Sequence, residues 1–151
     1  MLDWLLCGVV KALATVLWRL SPETTVRIGW VLGGLGVWLQ PRRTRLALLN
    51  LHAAYGEALP PEQARRIVAD IYRNLTAVLF EMLRLPIMDE AYVDRYVELV
   101  GREHFDAAQA AGRPIVMLTG HFGNWEITSI YSALKGFPML ALARVQDKFP
   151  R

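Results

Sequence analysis

One cysteine, Cys7, is the only thiol in the 151 residues. A lone thiol excludes an internal disulfide framework and a cysteine-based zinc site, and a reducing compartment is the default expectation. Histidine is scarce too: of His52, His104 and His121, none has a second histidine at metal-ligand spacing, so no metal site is expected. No basic residue precedes the first apolar run, which has Asp3 in front of it, and no A-x-A-like cleavage site follows. A secretory signal is therefore a poor fit. The excess of basic residues is small, 17 Lys and Arg against 14 Asp and Glu for a net charge of +3. That is too little and too scattered for nucleic acid, but it suits an anionic membrane surface or an acidic partner. There are no internal repeats and no low-complexity tracts.

A long charge-free apolar run is also missing, although 54% of the residues are hydrophobic. The segment from Trp4 to Trp18 is broken by Lys11, and Ile28 to Leu39 is uncharged but short. Leu5, Leu6, Val9, Val10, Leu13, Val16 and Leu17 together favour insertion by about 3.5 kcal/mol, and a central Lys costs about 3. The second segment spans only about 18 Å as a helix, against a hydrocarbon core of about 30 Å. Neither reads as a lone transmembrane helix. A membrane-associated helical hairpin over residues 1–40 fits better, with Ser21 and Pro22 capping its second helix. Gly29 and Gly33, four apart, would let another helix approach closely. Arg42, Arg43 and Arg45 follow and read as cytoplasmic residues at lipid headgroups.

From Arg42 to Tyr55 the pattern is helical, with Gly56 as a stop. Pro60 and Pro61 open a long amphipathic helix that runs to about Leu85, its wet face marked by Arg65, Arg66, Asp70 and Arg73. The pattern then changes. Tyr96–Val100 reads as a strand, Glu103–Ala111 as a helix ending at Gly112, and Pro114–Thr119 as a buried strand. Ile127, Ile130, Tyr131 and Leu134 recur at helical spacing up to Gly136, and Met139–Ala143 reads as a third strand. This alternation predicts an α/β class with a partial, mostly parallel βαβαβ sheet. Three strands with no covering helix after Arg151 read as a truncated domain.

The stretch Gly120-His121-Phe122-Gly123-Asn124-Trp125-Glu126 lies between the second expected strand and the next helix. Ligands of open α/β sheets bind at strand exits. On one helix, residues five apart are about 140° out of phase, so His121 and Glu126 can meet only across a turn. Gly123 would make that turn, Asn124 would cap the helix, and Glu126 would open its first turn. A histidine steered by a carboxylate is a general base able to take a proton from a hydroxyl. Backbone N–H groups at the helix start could bind an oxyanion. Spacing alone leaves the other reading open, in which His121 caps a turn and Glu126 lies on a wet helix end.

His121 to Glu126 resembles the His-x4-Asp/Glu signature of the glycerolipid acyltransferase superfamily. The whole Gly120–Glu126 block is similar to that of the lipid A late acyltransferases of lauroyl and myristoyl type. Arg42-Arg43 with Asn50-Leu51, Glu81 on the long helix, and Ala143 to Lys148 resemble further segments of that family, with Val145 where a proline is usual. The resemblance implies that residues 41–151 are the N-terminal part of an acyltransferase catalytic domain. It implies an acyl-carrier-protein or acyl-CoA donor, a glycolipid acceptor such as a lipid A precursor, and the cytoplasmic face of the bacterial inner membrane. It calls for neither metal nor other cofactor. By the same resemblance His121 is the base and Glu126 its partner, Gly123 and Asn124 shape the turn, and Arg144 contacts a donor or acceptor phosphate. His52 and His104 have no partners in the pattern and read as bystanders. Another glycolipid or lysophospholipid acceptor, such as a phosphatidylinositol mannoside, fits the same motif, and so does an inactive membrane-bound remnant.

Overall fold

The computed structural model describes residues 2–137 and 139–140, with backbone alone at 2 and 3. They form α1 (Leu2–Trp18), α2 (Pro22–Gly33), α3 (Gly36–Leu39), α4 (Pro41–Tyr55), α5 (Pro61–Met82), α6 (Glu90–Tyr96), α7 (Arg102–Ala110) and α8 (Glu126–Leu134). Single 3-10 turns occupy Gly56–Ala58 and Leu85–Ile87. The chain divides into two compact units, Met1–Ile87 with Leu118–Trp125, and Met88–Met117 with Glu126–Arg151.

Within the first unit, α2 packs along α5. The two expected glycines make that packing possible. A Cβ on Gly33 would lie 2.5 Å from Arg73 Cα, and one on Gly29 would lie 2.7 Å from Ala77 Cα. The obstacles are backbone atoms, so the helices meet main chain to main chain. Ser21 starts α2 as its composition suggests, its Oγ accepting from Thr24 N at 3.2 Å with Pro22 next in line. Ala64, Val68, Ala77 and Val78 of α5 are buried, on the apolar face that its periodicity marked.

The α1–α2 corner is tied to the end of α5 by polar bonds. Trp18 Nε1 donates to Leu83 O at 2.7 Å. Arg84, only 6% exposed, donates from Nη1 to Leu17 O, to Leu20 O at 2.7 Å and to Thr25 Oγ1 at 3.4 Å. The last carbonyls of a helix have no intrahelical donor and carry the negative end of its dipole. A guanidinium satisfies both needs there. Ala14 and Leu17 are buried near the end of α1, whereas Trp4, Leu5, Leu6, Val9 and Val10 are exposed. Among the described residues no helix is long and apolar enough to cross a membrane.

In the second unit, Asp89 caps α6 by accepting from Tyr92 N at 2.8 Å. Val93 of that helix is fully buried. The Phe105 and Phe137 rings meet edge to face at 4.8 Å, the Arg102 guanidinium lies 5.2 Å over Phe137, and Lys135 donates to Asp94. Leu99, Phe105, Ile115, Met117, Tyr131 and Phe137 line an apolar groove of about 360 Å³.

The expected α/β class with a partial, mostly parallel sheet is not what forms. The described residues contain helices and turns and no strand. Tyr96 closes α6, and Val97–Val100 carries no ladder. Pro114–Thr119 is irregular rather than a buried strand: Val116 is 83% exposed and Leu118 93%. The physical reason is that apolar composition reports a tendency to leave water, whereas a strand exists only through hydrogen bonds to a neighbour. No described segment supplies that neighbour. Ile115 and Met117 bury part of their surface in the groove instead. Of the third expected strand, Met139 and Leu140 are irregular and Ala141–Ala143 lie outside the described residues. The helix expectations fared better: α4, α5, α7 and α8 fall within a few residues of where the periodicity put them.

Candidate active site

The candidate residues lie on a short irregular segment between Pro114–Thr119 and α8. Its part from Leu118 to Trp125 belongs to the first unit, and Glu126 belongs to the second. Gly123 has φ +54°, a left-handed conformation that costs other residues about 1–2 kcal/mol. Nothing lies within 4 Å of where its Cβ would be. Gly123 thus has the left-handed backbone that a turn there would need, with no described atom close to its Cβ position. His121 and Phe122 are exposed, and Phe122 N donates to Gly120 O at 2.9 Å. The His121 ring meets the Trp125 ring edge to face, centroids 4.6 Å apart at 64°. An exposed imidazole with one side against an indole can receive a substrate hydroxyl on the other.

Glu126 is the first residue of α8, the position expected for it. A carboxylate there gains roughly 0.3–1 kcal/mol from the helix dipole. Asn124 departs from its expected role as N-cap. Its Nδ2 donates to Glu81 Oε2 at 2.8 Å, and its Oδ1 is buried without a hydrogen-bond partner among the described residues. Glu81 stood out in the sequence only through resemblance, on a helix far from the motif. The structure brings it to the motif, one residue before α5 ends. A carboxylate facing inward near the end of an otherwise apolar helix turn was the one local signal for this link.

Arg84 was missed altogether. It falls where α5 gives way to a turn, and nothing in the pattern separates a clamp from a surface arginine. Arg144 lies outside the described residues. His104 is exposed, and its ring nitrogen is 3.8 Å from the carboxylate of its exposed sequence neighbour Glu103. His52 lines a shallow depression with Leu48, Leu59, Pro61, Ala64 and Arg65 in the first unit. Among the described residues there is no cluster of three or more metal-ligating side chains.

Against known families, residues 1–151 match the model of the bacterial lipid A biosynthesis acyltransferases. Among curated proteins the chain is similar to a lipid A biosynthesis acyltransferase of Haemophilus influenzae, 24% identical over 143 residues. That alignment covers 92% of this chain and 42% of the relative. It is also similar to a lipid A biosynthesis lauroyltransferase of Escherichia coli, 25% identical over 126 residues, which cover 83% of this chain and 40% of the relative. The chain thus spans about two fifths of the length of the curated relatives it matches. No solved structure matches it.

Proposed function

The chain belongs to the bacterial lipid A biosynthesis acyltransferase family, and on that premise we propose that the protein moves a fatty acyl chain from a thioester of acyl carrier protein or coenzyme A onto a hydroxyl of a lipid A precursor. His121 is the general base. It takes the proton of the acceptor hydroxyl as that oxygen attacks the thioester carbonyl. The tetrahedral intermediate collapses with cleavage of the C–S bond, and the imidazolium returns the proton to the leaving thiolate. Glu126 fixes the tautomer of His121 and stabilises the imidazolium. Backbone N–H groups at the start of α8 are the candidate donors to the oxyanion.

In this reading the reaction takes place at the cytoplasmic face of the inner membrane. The exposed Trp4, Leu5, Leu6 and Val9 of α1, and Trp38 and Leu39 of α3, supply apolar contact with lipid, with Arg42, Arg43 and Arg45 at headgroup level. Residues 1–40 are then the membrane-associated part, and residues 41 onward belong to the catalytic part.

The observation that carries this reading is the Gly120–Glu126 block itself, a histidine exposed beside a left-handed glycine with a carboxylate opening the following helix. Acyl transfer by the full-length protein is the test, with acyl carrier protein thioester and a lipid A precursor as substrates. His121→Ala is expected to lower kcat by about 10²–10⁴-fold, with the circular dichroism spectrum unchanged. Turnover retained by a folded H121A protein ends the assignment. Mass spectrometry of the product identifies the acceptor and separates lipid A from a phosphatidylinositol mannoside or lysophospholipid.

A further inference from the structure

Within the first unit, a side-chain hydrogen bond joins the His121 segment to the helical body. It is the donation from Asn124 Nδ2 to Glu81 Oε2 at 2.8 Å, between residues 43 apart in sequence. The other polar atom of that side chain, Asn124 Oδ1, is buried without a hydrogen-bond partner among the described residues. Glu81 stands on the most strongly braced part of this unit. Its helix, α5, carries the main-chain contact with α2 at Gly29 and Gly33. Three residues on, Arg84 grips the carbonyls of Leu17 and Leu20.

Asn124 in turn lies between the left-handed Gly123 and Trp125, whose ring rests against that of His121. Position therefore passes from α5 to Glu81, to Asn124, to the backbone of the turn and the indole that flanks the imidazole. A charged acceptor strengthens and aligns such a bond.

We infer that Glu81 is a positioning residue for the acyl transfer: its carboxylate holds Asn124, and through it sets the turn that presents His121. This rests on the reading of His121 as the base. In this role Glu81 acts through Asn124 rather than on the substrate. Its loss should leave substrate binding intact and lower the rate of the step that His121 serves. Small displacements of a catalytic group cost up to about 10²-fold in rate.

The test uses the full-length protein. Glu81→Ala is expected to lower kcat by about 10- to 100-fold with KM for donor and acceptor within about twofold of wild type. Asn124→Asp sets two carboxylates against each other and is expected to fall comparably. The double variant Glu81→Gln/Asn124→Asp exchanges donor and acceptor, since the glutamine amide now donates to an aspartate. It is expected to recover to within about fivefold of wild type, a coupling that two independent sites would not show.

Wild-type kcat in folded E81A, or a change confined to KM, overturns the positioning role. With H121A inactive in the same assay, the acyltransferase reading then still stands. Turnover by H121A overturns that reading itself. If circular dichroism shows E81A unfolded, the exchange decides: a folded double variant no more active than N124D rejects the role, and recovery sustains it.

Discussion

Gly123 isolates a backbone effect from a packing effect. Its φ of +54° penalises a side chain, yet a Cβ there would meet nothing within 4 Å. Gly123→Ala is therefore expected to lower stability by about 1 kcal/mol, all of it conformational, and Gly123→Asn by less because asparagine tolerates this region. Urea unfolding measures both, and an alanine variant as stable as wild type would remove the strain from the account. Asn124 shows why its neighbour was legible and it was not. A glycine between two candidate polar residues announces a turn whatever surrounds it. An asparagine before a helix announces a cap only when its Oδ1 is turned to the helix N–H groups, and here the side chain is held through its Nδ2 by Glu81, 43 residues earlier. A cap uses the amide oxygen as acceptor, whereas the carboxylate holds the amide nitrogen and so fixes which way the side chain turns, and no local pattern reveals that such an acceptor will be near.

For elements, period and spacing were enough where the partner did not matter. The stripe on α5 and the stop at Gly56 fixed helices whose backbone ladder closes within the helix itself. The spacing of Gly29 and Gly33 announced a close approach on α2, but not that α5 would make it. Strands depend on a partner, and the apolar run Pro114–Thr119 stayed irregular for want of one. The α2–α5 contact gives a matched pair of substitutions. Gly33→Ala would drive a Cβ to 2.5 Å from Arg73 Cα and 2.6 Å from Tyr72 O, atoms that cannot rotate away. It is expected to cost about 1–3 kcal/mol through forced separation of the helices. Gly8→Ala on α1 meets nothing within 4 Å and removes a flexible residue from a helix interior. It is expected to stabilise by roughly 0.5–1 kcal/mol. Thermal unfolding of the two variants side by side should move in opposite directions. Equal shifts would mean that glycine on α2 serves only as a tolerated helix residue.

At the scale of the molecule, family membership was readable from seven consecutive residues while the fold class was not. A reacting group needs particular atoms in a particular order, which the sequence prints directly, whereas layers are made by distant segments finding each other. The same distinction governs how the second unit should respond to pH. Lys135 closes α8 by donating to Asp94 of α6. That hydrogen bond raises its ammonium above the ordinary lysine value, partial desolvation works against it, and the charges of Asp94 and Glu90 add to the rise. A raised value means that the folded chain holds this proton more tightly than the unfolded chain. The resulting stability is fully present below the unfolded lysine pKa of about 10.4, and is lost as pH climbs through the higher folded value. Asp94→Asn should therefore lower the unfolding midpoint by a constant amount at neutral pH. The gap between variant and wild type should close as pH rises above about 10. Comparing the two proteins at each pH cancels the alkaline titration of the tyrosines and other lysines, which both share. A gap that persists unchanged at pH 11 would mean that Asp94 acts through packing or through α6, and not through the Lys135 proton.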